Sequence, residues 1–305
     1  MKTNVIHNTD CLTGLKELPD NSIDCIVTSP PYWALRDYGV EGQLGLENTF
    51  QDYIDKLLEI FTECKRVLKE NGSCWINLGD TYSGSNGRIK KEVYLNNTGH
   101  GAGKTDLQDK SLCMIPERFA IAMIESGWIL RNQIIWHKPS CMPSSVKDRF
   151  TVDFEKVFFF TKNQKYYFKQ QFEPHKTENL EYEMNKSSKW GNKKAHTNKK
   201  NVEEYRENTR GYYEQGRNKR TVWSVNTQPF SESHFAVYPE KLIETPIIAG
   251  CPVDGIVLDP FMGAGTTALV ALKNKRQFIG FELNPEYIEI TQKRIKDDLE
   301  QQWLF

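Results

Sequence analysis

Two short stretches of the 305-residue chain carry residue types and spacings suited to chemistry. The first is Thr28-Ser29-Pro30-Pro31-Tyr32-Trp33. Adjacent prolines stiffen the chain and remove two N–H donors. The corner they leave is rich in acceptors: backbone carbonyls and the Ser29 hydroxyl. Its natural partner is an amino group with two N–H bonds. Tyr32 and Trp33 add π faces against which a flat base stacks.

The second stretch is Leu258-Asp259-Pro260-Phe261-Met262-Gly263-Ala264-Gly265-Thr266-Thr267-Ala268. Gly263, Gly265 and Ala268 follow Gly-x-Gly-x-x-Gly/Ala, which lets backbone approach a ligand at the start of a helix with free N–H groups. Glu282 lies 17 residues past Gly265, where a carboxylate accepts from both hydroxyls of a ribose. The pair predicts a nucleoside-type cofactor, either a dinucleotide or S-adenosylmethionine. Chain order separates them. A nicotinamide-binding domain usually begins with this turn, yet only 37 residues follow Ala268. The N-terminal half must therefore supply the missing strands, with the cofactor half last.

The elements that must hold these stretches alternate. Asp24–Thr28 is a short apolar run that stops at Ser29-Pro30-Pro31, a buried strand. Apolar residues from Gln51 to Lys69 recur at helical spacing, with Thr49 as cap and Asn71-Gly72 as stop. Strands are predicted at Cys74–Leu78, Trp128–Trp136 and Lys156–Thr161, and a helix from Pro116 to Ser126. After Val222, Pro239 starts a helix ending near Gly250. Gly255–Leu258 and Gln277–Glu282 are strands, a helix runs to about Lys273, and Pro285 opens the last helix.

Two stretches differ. Ser83 to Asp109, rich in Gly, Asn and Ser, reads as a mobile loop. Its Gly99-His100-Gly101-Ala102-Gly103-Lys104-Thr105 has three residues between Gly99 and Gly103 where a phosphate-binding loop needs four, and no strand precedes it. Thr161 to Val222 holds 15 Lys and Arg against 8 Asp and Glu, a net of +7 in a chain of net zero. Its interleaved aromatics suit phosphate contact and base stacking, or else a solvated insertion.

Seven cysteines, an odd number without a Cys-x-x-Cys pair, argue against a disulfide framework or zinc site and for a reducing cytoplasm. No His/Asp/Glu cluster suggests a metal. No apolar run approaches the roughly 20 residues of a membrane span, and the N-terminus has no apolar signal core.

Together these residues resemble the amino-group DNA methyltransferases in the permuted order called the β class, over nearly the whole chain. The family's (Asp/Asn/Ser)-Pro-Pro-Tyr motif matches Ser29, Pro30, Pro31 and Tyr32. Its Asp-Pro-Phe-x-Gly-x-Gly-Thr-Thr loop matches Asp259 to Thr267, and Glu282 falls at its ribose-binding acid. The resemblance implies a Rossmann-like α/β fold that binds S-adenosyl-L-methionine. Residues 1–160 would form the catalytic half, 161–222 an inserted target recognition region, and 223–305 the cofactor half. It implies cofactor contacts by Asp259, Phe261, Gly263, Gly265, Thr266, Thr267 and Glu282. Asp10, in Asn8-Thr9-Asp10-Cys11, would meet the adenine, and His234, Phe235 and Ala236 would line the methionine part. Trp136-His137-Lys138-Pro139 also looks similar to the family, without an assignable role.

The expected reaction is direct methyl transfer to the exocyclic amino group of a flipped base in double-stranded DNA. The base would stack on Tyr32 with Trp33 nearby and donate to Ser29 and the Pro30 carbonyl. No covalent nucleophile is needed, and there is no Pro-Cys dipeptide of the cytosine-C5 type: Cys251-Pro252 and Cys141-Met142-Pro143 run otherwise. Within the family, Ser at the first position leans towards N4 of cytosine and Asp towards N6 of adenine, which is the alternative. RNA and protein-glutamine methyltransferases usually carry Asn there and the unpermuted order. A non-enzymatic DNA-binding protein on a degenerate scaffold would not need every motif residue intact. The resemblance admits a cognate restriction endonuclease as partner, and either a monomer or a homodimer.

Overall fold

A computed structural model describes residues 1–84, 106–174, 216–227 and 237–302. Residues 1–169 and 221–305 form one unit and residues 170–220 a second.

The larger unit is built on an eight-stranded sheet. Its strands in chain order are β1 (Val5–Asn8), β2 (Ile23–Thr28), β3 (Leu68–Leu78), β4 (Ile129–His137), β5 (Phe154–Thr161), β8 (Val222–Ser224), β9 (Ile256–Asp259) and β10 (Gln277–Glu282). They lie side by side as β1-β10-β9-β2-β3-β5-β4-β8. Only β5 runs antiparallel to its neighbours, β3 and β4. The last two strands of the chain therefore sit between β1 and β2, as the permuted order requires. Strand order reverses between β9 and β2, the point at which ligands bind in open α/β sheets.

Helices cover both faces. With α1 (Cys11–Glu17), α2 (Phe50–Val67) and α3 (Ile115–Glu125), the sheet residues Ile26, Cys74, Ile76, Phe158 and Phe160 build one core. With α4 (Glu240–Gly250) and α5 (Thr266–Lys273), Cys25, Val27, Trp75, Val157 and Phe159 build the other. Because strand side chains alternate between faces, the three consecutive phenylalanines of β5 divide between the two cores. On one face Trp75 stacks on Phe159 with centroids 3.9 Å apart. The last helix, α6, is Pro285–Gln302.

Thr49 caps α2 as expected, its side chain accepting from the Asp52 N–H at 3.1 Å. The stop does not lie at Asn71-Gly72. The helix ends at Val67 and β3 starts at the next residue, with Asn71 and Gly72 inside it. Gly72 is there for close packing: a Cβ would come within 2.6 Å of the Leu68 side chain and 3.0 Å of the Asp24 carbonyl.

Of the segment 161–222, residues 161–169 belong to the larger unit. Tyr166 and Phe168, counted in the sequence among the interleaved aromatics, pack on Phe159 of β5. In the smaller unit β6 (Phe172–Glu173) pairs antiparallel with β7 (Arg217–Asn218), and Glu173 holds Arg217 at 2.8 Å and Arg220 at 2.6 Å. Residues 85–105, the core of the expected mobile loop, lie outside the described residues, as do 175–215. Among the described residues no helix is long and apolar enough to cross a membrane, and all seven cysteines are free.

Candidate active site

Parallel neighbours bring the two sequence stretches to one edge of the sheet. In β2 and β9, Cys25 pairs with Val257 and Ile26 with Leu258. The next residues lead straight into the proline corner and the glycine turn. Thr28 Oγ1 donates to Asp259 Oδ1 at 2.5 Å, joining the two turns at their roots.

Asp259 is 1% exposed and fully committed. Its Oδ1 also accepts from the Phe261 N–H at 3.0 Å, and its Oδ2 accepts from Thr267 at 2.5 Å and Tyr238 at 3.1 Å. Burial raises its pKa against the pull of these bonds. Thr267 is 0% exposed, and the buried Thr266 hydroxyl accepts from Arg294 at 3.2 Å. The sequence placed all three among the cofactor contacts. The side chains of Asp259 and Thr267 are bonded within the protein and so fix the shape of the turn, while Thr266 accepts one bond from Arg294.

That shape depends on two glycines in the left-handed region, Gly263 at φ +52° and Gly265 at φ +77°. Gly265 also lacks space: a Cβ would meet Thr291 Cγ2 at 2.0 Å. Half-buried Glu282 stands at the end of β10 beside the turn. Its Oε2 accepts from the Gly263 N–H and its Oε1 from the Asn284 N–H, each at 2.8 Å. Burial raises its pKa. Each carboxylate oxygen offers two lone pairs, so one acceptor position per oxygen is left for a diol. These acceptor positions therefore fit the ribose hydroxyls of S-adenosyl-L-methionine.

Asp10 follows β1, the strand paired with β10, in which Asn8 lies opposite Glu282. The Asn8 side chain donates to the carbonyls of Glu282 and Leu283, both at 2.9 Å. Asp10 caps α1, its Oδ1 accepting from the Thr13 N–H at 2.9 Å. Burial acts to raise its pKa, but the Thr13 bonds prevail and lower it. Half-buried Phe261 packs on the core beside the turn. His234, Phe235 and Ala236 lie outside the described residues.

At the proline corner the Tyr53 hydroxyl donates to the Pro31 carbonyl at 2.8 Å. The half-buried Tyr32 ring rests against Gly79, where a Cβ would come within 2.4 Å of it. Its phenol pKa is raised by burial and then by the charge of Glu155, so the hydroxyl stays a donor. Trp33 is not available to a base. It is 2% exposed, packed edge-on against Phe50, and its Nε1 donates to the Glu47 carbonyl at 3.0 Å. The chain turns here, with Ala34 at φ +57° and the Leu35 N–H donating to the Tyr32 carbonyl at 3.4 Å, and the Trp33 ring is buried in the core.

Two residues to which the sequence assigned no role, Asn77 and Glu155, meet at Tyr32, and a third, Lys138, holds Glu155. The Tyr32 hydroxyl donates to Glu155 Oε2 at 2.7 Å and lies 3.0 Å from Asn77 Oδ1. Ser29 Oγ lies 3.5 Å from both Asn77 Oδ1 and the Tyr32 hydroxyl. Lys138 pairs with Glu155 Oε1 and lies over the Trp136 ring at 4.3 Å. His137 meets Ser224 Oγ at 3.0 Å through Nδ1 and Asp153 at 3.6 Å through Nε2. The antiparallel β4–β5 pairing explains the convergence. It puts Glu155 opposite Trp136, at the same edge where β2 and β3 end. Only Lys138 had a sequence signal, in Trp136-His137-Lys138-Pro139. Among the described residues no His/Cys/Asp/Glu group could hold a metal ion.

Comparison with known proteins agrees with this geometry. Residues 23–293 match the N6/N4 DNA methylase family model. The chain is 40% identical to type II methyltransferase M.Cfr9I of Citrobacter freundii over 95% of its length and 86% of that protein. It is 37% identical to type II methyltransferase M.SmaI of Serratia marcescens, over 94% and 88% respectively. Among solved structures, PvuII DNA methyltransferase (cytosine-N4-specific) shares the fold with a TM-score of 0.63 at 20% identity, covering 97% of this chain and 91% of that one. M1.HpyAVI in complex with S-adenosylmethionine does so with a TM-score of 0.54 at 19% identity, covering 95% and 98%. A proline corner and a glycine turn joined by Thr28 and Asp259, on a sheet of permuted order, place this chain in the N6/N4 DNA methylase family, as an S-adenosylmethionine-dependent DNA amino-methyltransferase.

Proposed function

We propose that the chain methylates the N4 amino group of cytosine in double-stranded DNA, as the modification enzyme of a pair with a cognate restriction endonuclease. The observation that carries the base assignment is Ser29. The first position of the corner holds a hydroxyl beside the neutral amide of Asn77, not a carboxylate. When bound, S-adenosyl-L-methionine supplies an electrophilic methyl group on a sulfonium.

The chain's own residues do the rest. Glu282 holds the ribose, the Gly263–Gly265 turn with Phe261 beside it gives backbone approach, and Asp10 borders the adenine. His234, Phe235 and Ala236 complete the methionine side. The flipped cytosine stacks on Tyr32 and donates its amino hydrogens to Ser29 and the Pro30 carbonyl. These bonds would turn the nitrogen lone pair out of conjugation and aim it at the side of the site where the cofactor would supply its methyl group. Flipping costs a few kcal/mol, offset by stacking and hydrogen bonds in the pocket. Alignment of the reacting atoms lowers such a barrier by roughly 7–11 kcal/mol.

The test is digestion of DNA treated with enzyme and cofactor, followed by mass spectrometry of the nucleosides. N4-methylcytosine is expected. N6-methyladenine would overturn the base assignment, and no methylated base would overturn the reading as a whole.

A further inference from the structure

We propose that Glu155, held by Lys138, is a positioning residue that sets the direction of the hydrogen bonds behind Ser29, so that the Ser29 oxygen is presented to the base as an acceptor. This rests on the corner being the amino-binding pocket, and it follows from counting protons.

The Asn77 amide is oriented by its neighbours. Its Nδ2 lies 3.1 Å from the Lys156 carbonyl and 3.2 Å from Glu155 Oε2, two groups that only accept. Its Oδ1 must therefore face the other way, towards Tyr32 and Ser29. Tyr32 has one proton to give. The bond to Glu155 at 2.7 Å is charge-assisted and shorter than the 3.0 Å approach to Asn77. With that proton committed, Asn77 Oδ1 is left for Ser29. Both inward neighbours of Ser29 Oγ, Asn77 Oδ1 and the Tyr32 oxygen, each at 3.5 Å, are then acceptors, so its one proton turns inward to one or the other. Its lone pairs point outward, where an amino group brings hydrogens.

Lys138 keeps this arrangement in place by holding the other oxygen of Glu155 in an ion pair, both side chains 19% exposed. A glutamine at 155 would break the logic. Its amide can donate to the Tyr32 oxygen, which turns the tyrosine proton onto Asn77 Oδ1 and pushes the Ser29 proton outward against the amino hydrogens.

A double-mutant cycle in the full-length enzyme tests this. Glu155→Gln is expected to lower kcat about 10–100-fold, the range for one misdirected hydrogen bond to a charged group. KM for DNA and cofactor affinity should stay within about threefold. In a Ser29→Ala background, which has no hydroxyl to direct, Glu155→Gln should cost no more than about twofold. Lys138→Met, which releases the carboxylate without altering it, should lower kcat by less than Glu155→Gln and lose its effect in the same background. It carries the cycle if Glu155→Gln does not fold. Equal losses in the presence and absence of Ser29, or a change confined to KM, would overturn the role of Glu155. Product identity is read in the same assay. Adenine methylation by the unsubstituted enzyme would correct the base while leaving the cycle informative, and no methylation at all would sink both.

Discussion

Replacing Gly265 by alanine should destabilise the protein clearly more than replacing Gly263, although both glycines belong to one turn. At Gly263 the cost is conformational. Its φ is +52°, and the nearest atom to a new Cβ, the Phe261 carbonyl oxygen, is 4.0 Å away. A left-handed alanine costs about 1–2 kcal/mol, of which about 0.4–1 kcal/mol is returned by the stiffer unfolded chain. At Gly265 the same cost at φ +77° is joined by a collision. The Cβ would sit 2.0 Å from Thr291 Cγ2 and 2.7 Å from Thr291 Cβ, so α6 must move away from the turn. Overpacking of this kind adds about 1–3 kcal/mol. At about 1.6 °C per kcal/mol for 305 residues, Gly265→Ala should melt about 2–5 °C below Gly263→Ala in calorimetry without cofactor. If the two variants melt together, α6 does not pack on the turn as described and the reasoning fails.

Trp33→Ala should lower stability by about 3–5 kcal/mol, because the ring is core and not pocket; denaturant unfolding measures this, and an unchanged midpoint with lost base binding would refute it. Tyr32→Ala should reduce methyl transfer more than Tyr32→Phe does, by about 10–100-fold if stacking contributes about 1–3 kcal/mol; equal rates for the two variants would show that the ring does not stack on the base. Burial lifts Glu282 above its ordinary value of 4.5. Folding therefore favours its protonated form, and that stabilisation is complete below pH 4.5 and lost as pH climbs through the raised value. Glu282→Gln should remove this component, so that the melting temperature of the variant gains on the parent across that window. Cofactor affinity of the parent should fall as pH drops through the same window, and titration calorimetry of both proteins would show whether it does.

Which stretches are suited to chemistry was legible in the residues themselves. Two prolines cannot donate, a glycine pair admits left-handed backbone, and a carboxylate one strand later suits a diol; these are local properties of Ser29-Pro30-Pro31-Tyr32, Gly263, Gly265 and Glu282. The permuted order was legible too, because 37 residues after Ala268 cannot complete a sheet. Periodicity placed the larger elements near their bounds. It misplaced the end of α2, because Gly72 serves contact with Leu68 and not chain reversal.

Only the tertiary structure decided what each polar group is free to do. Asp259 and Thr267 stand in a ligand-binding motif, yet their side chains bond to one another and to Thr28 and Tyr238 from remote segments, and Thr266 accepts from Arg294 of the last helix. Trp33 and Tyr32 are neighbours in sequence and part company because one faces the core. Asn77, Glu155 and Lys138 carried no shared spacing, since β3, β4 and β5 meet through sheet register. Spacing along a chain encodes local geometry. Hydrogen-bond satisfaction depends on atoms brought together from far apart, and it is known only once the strands are paired.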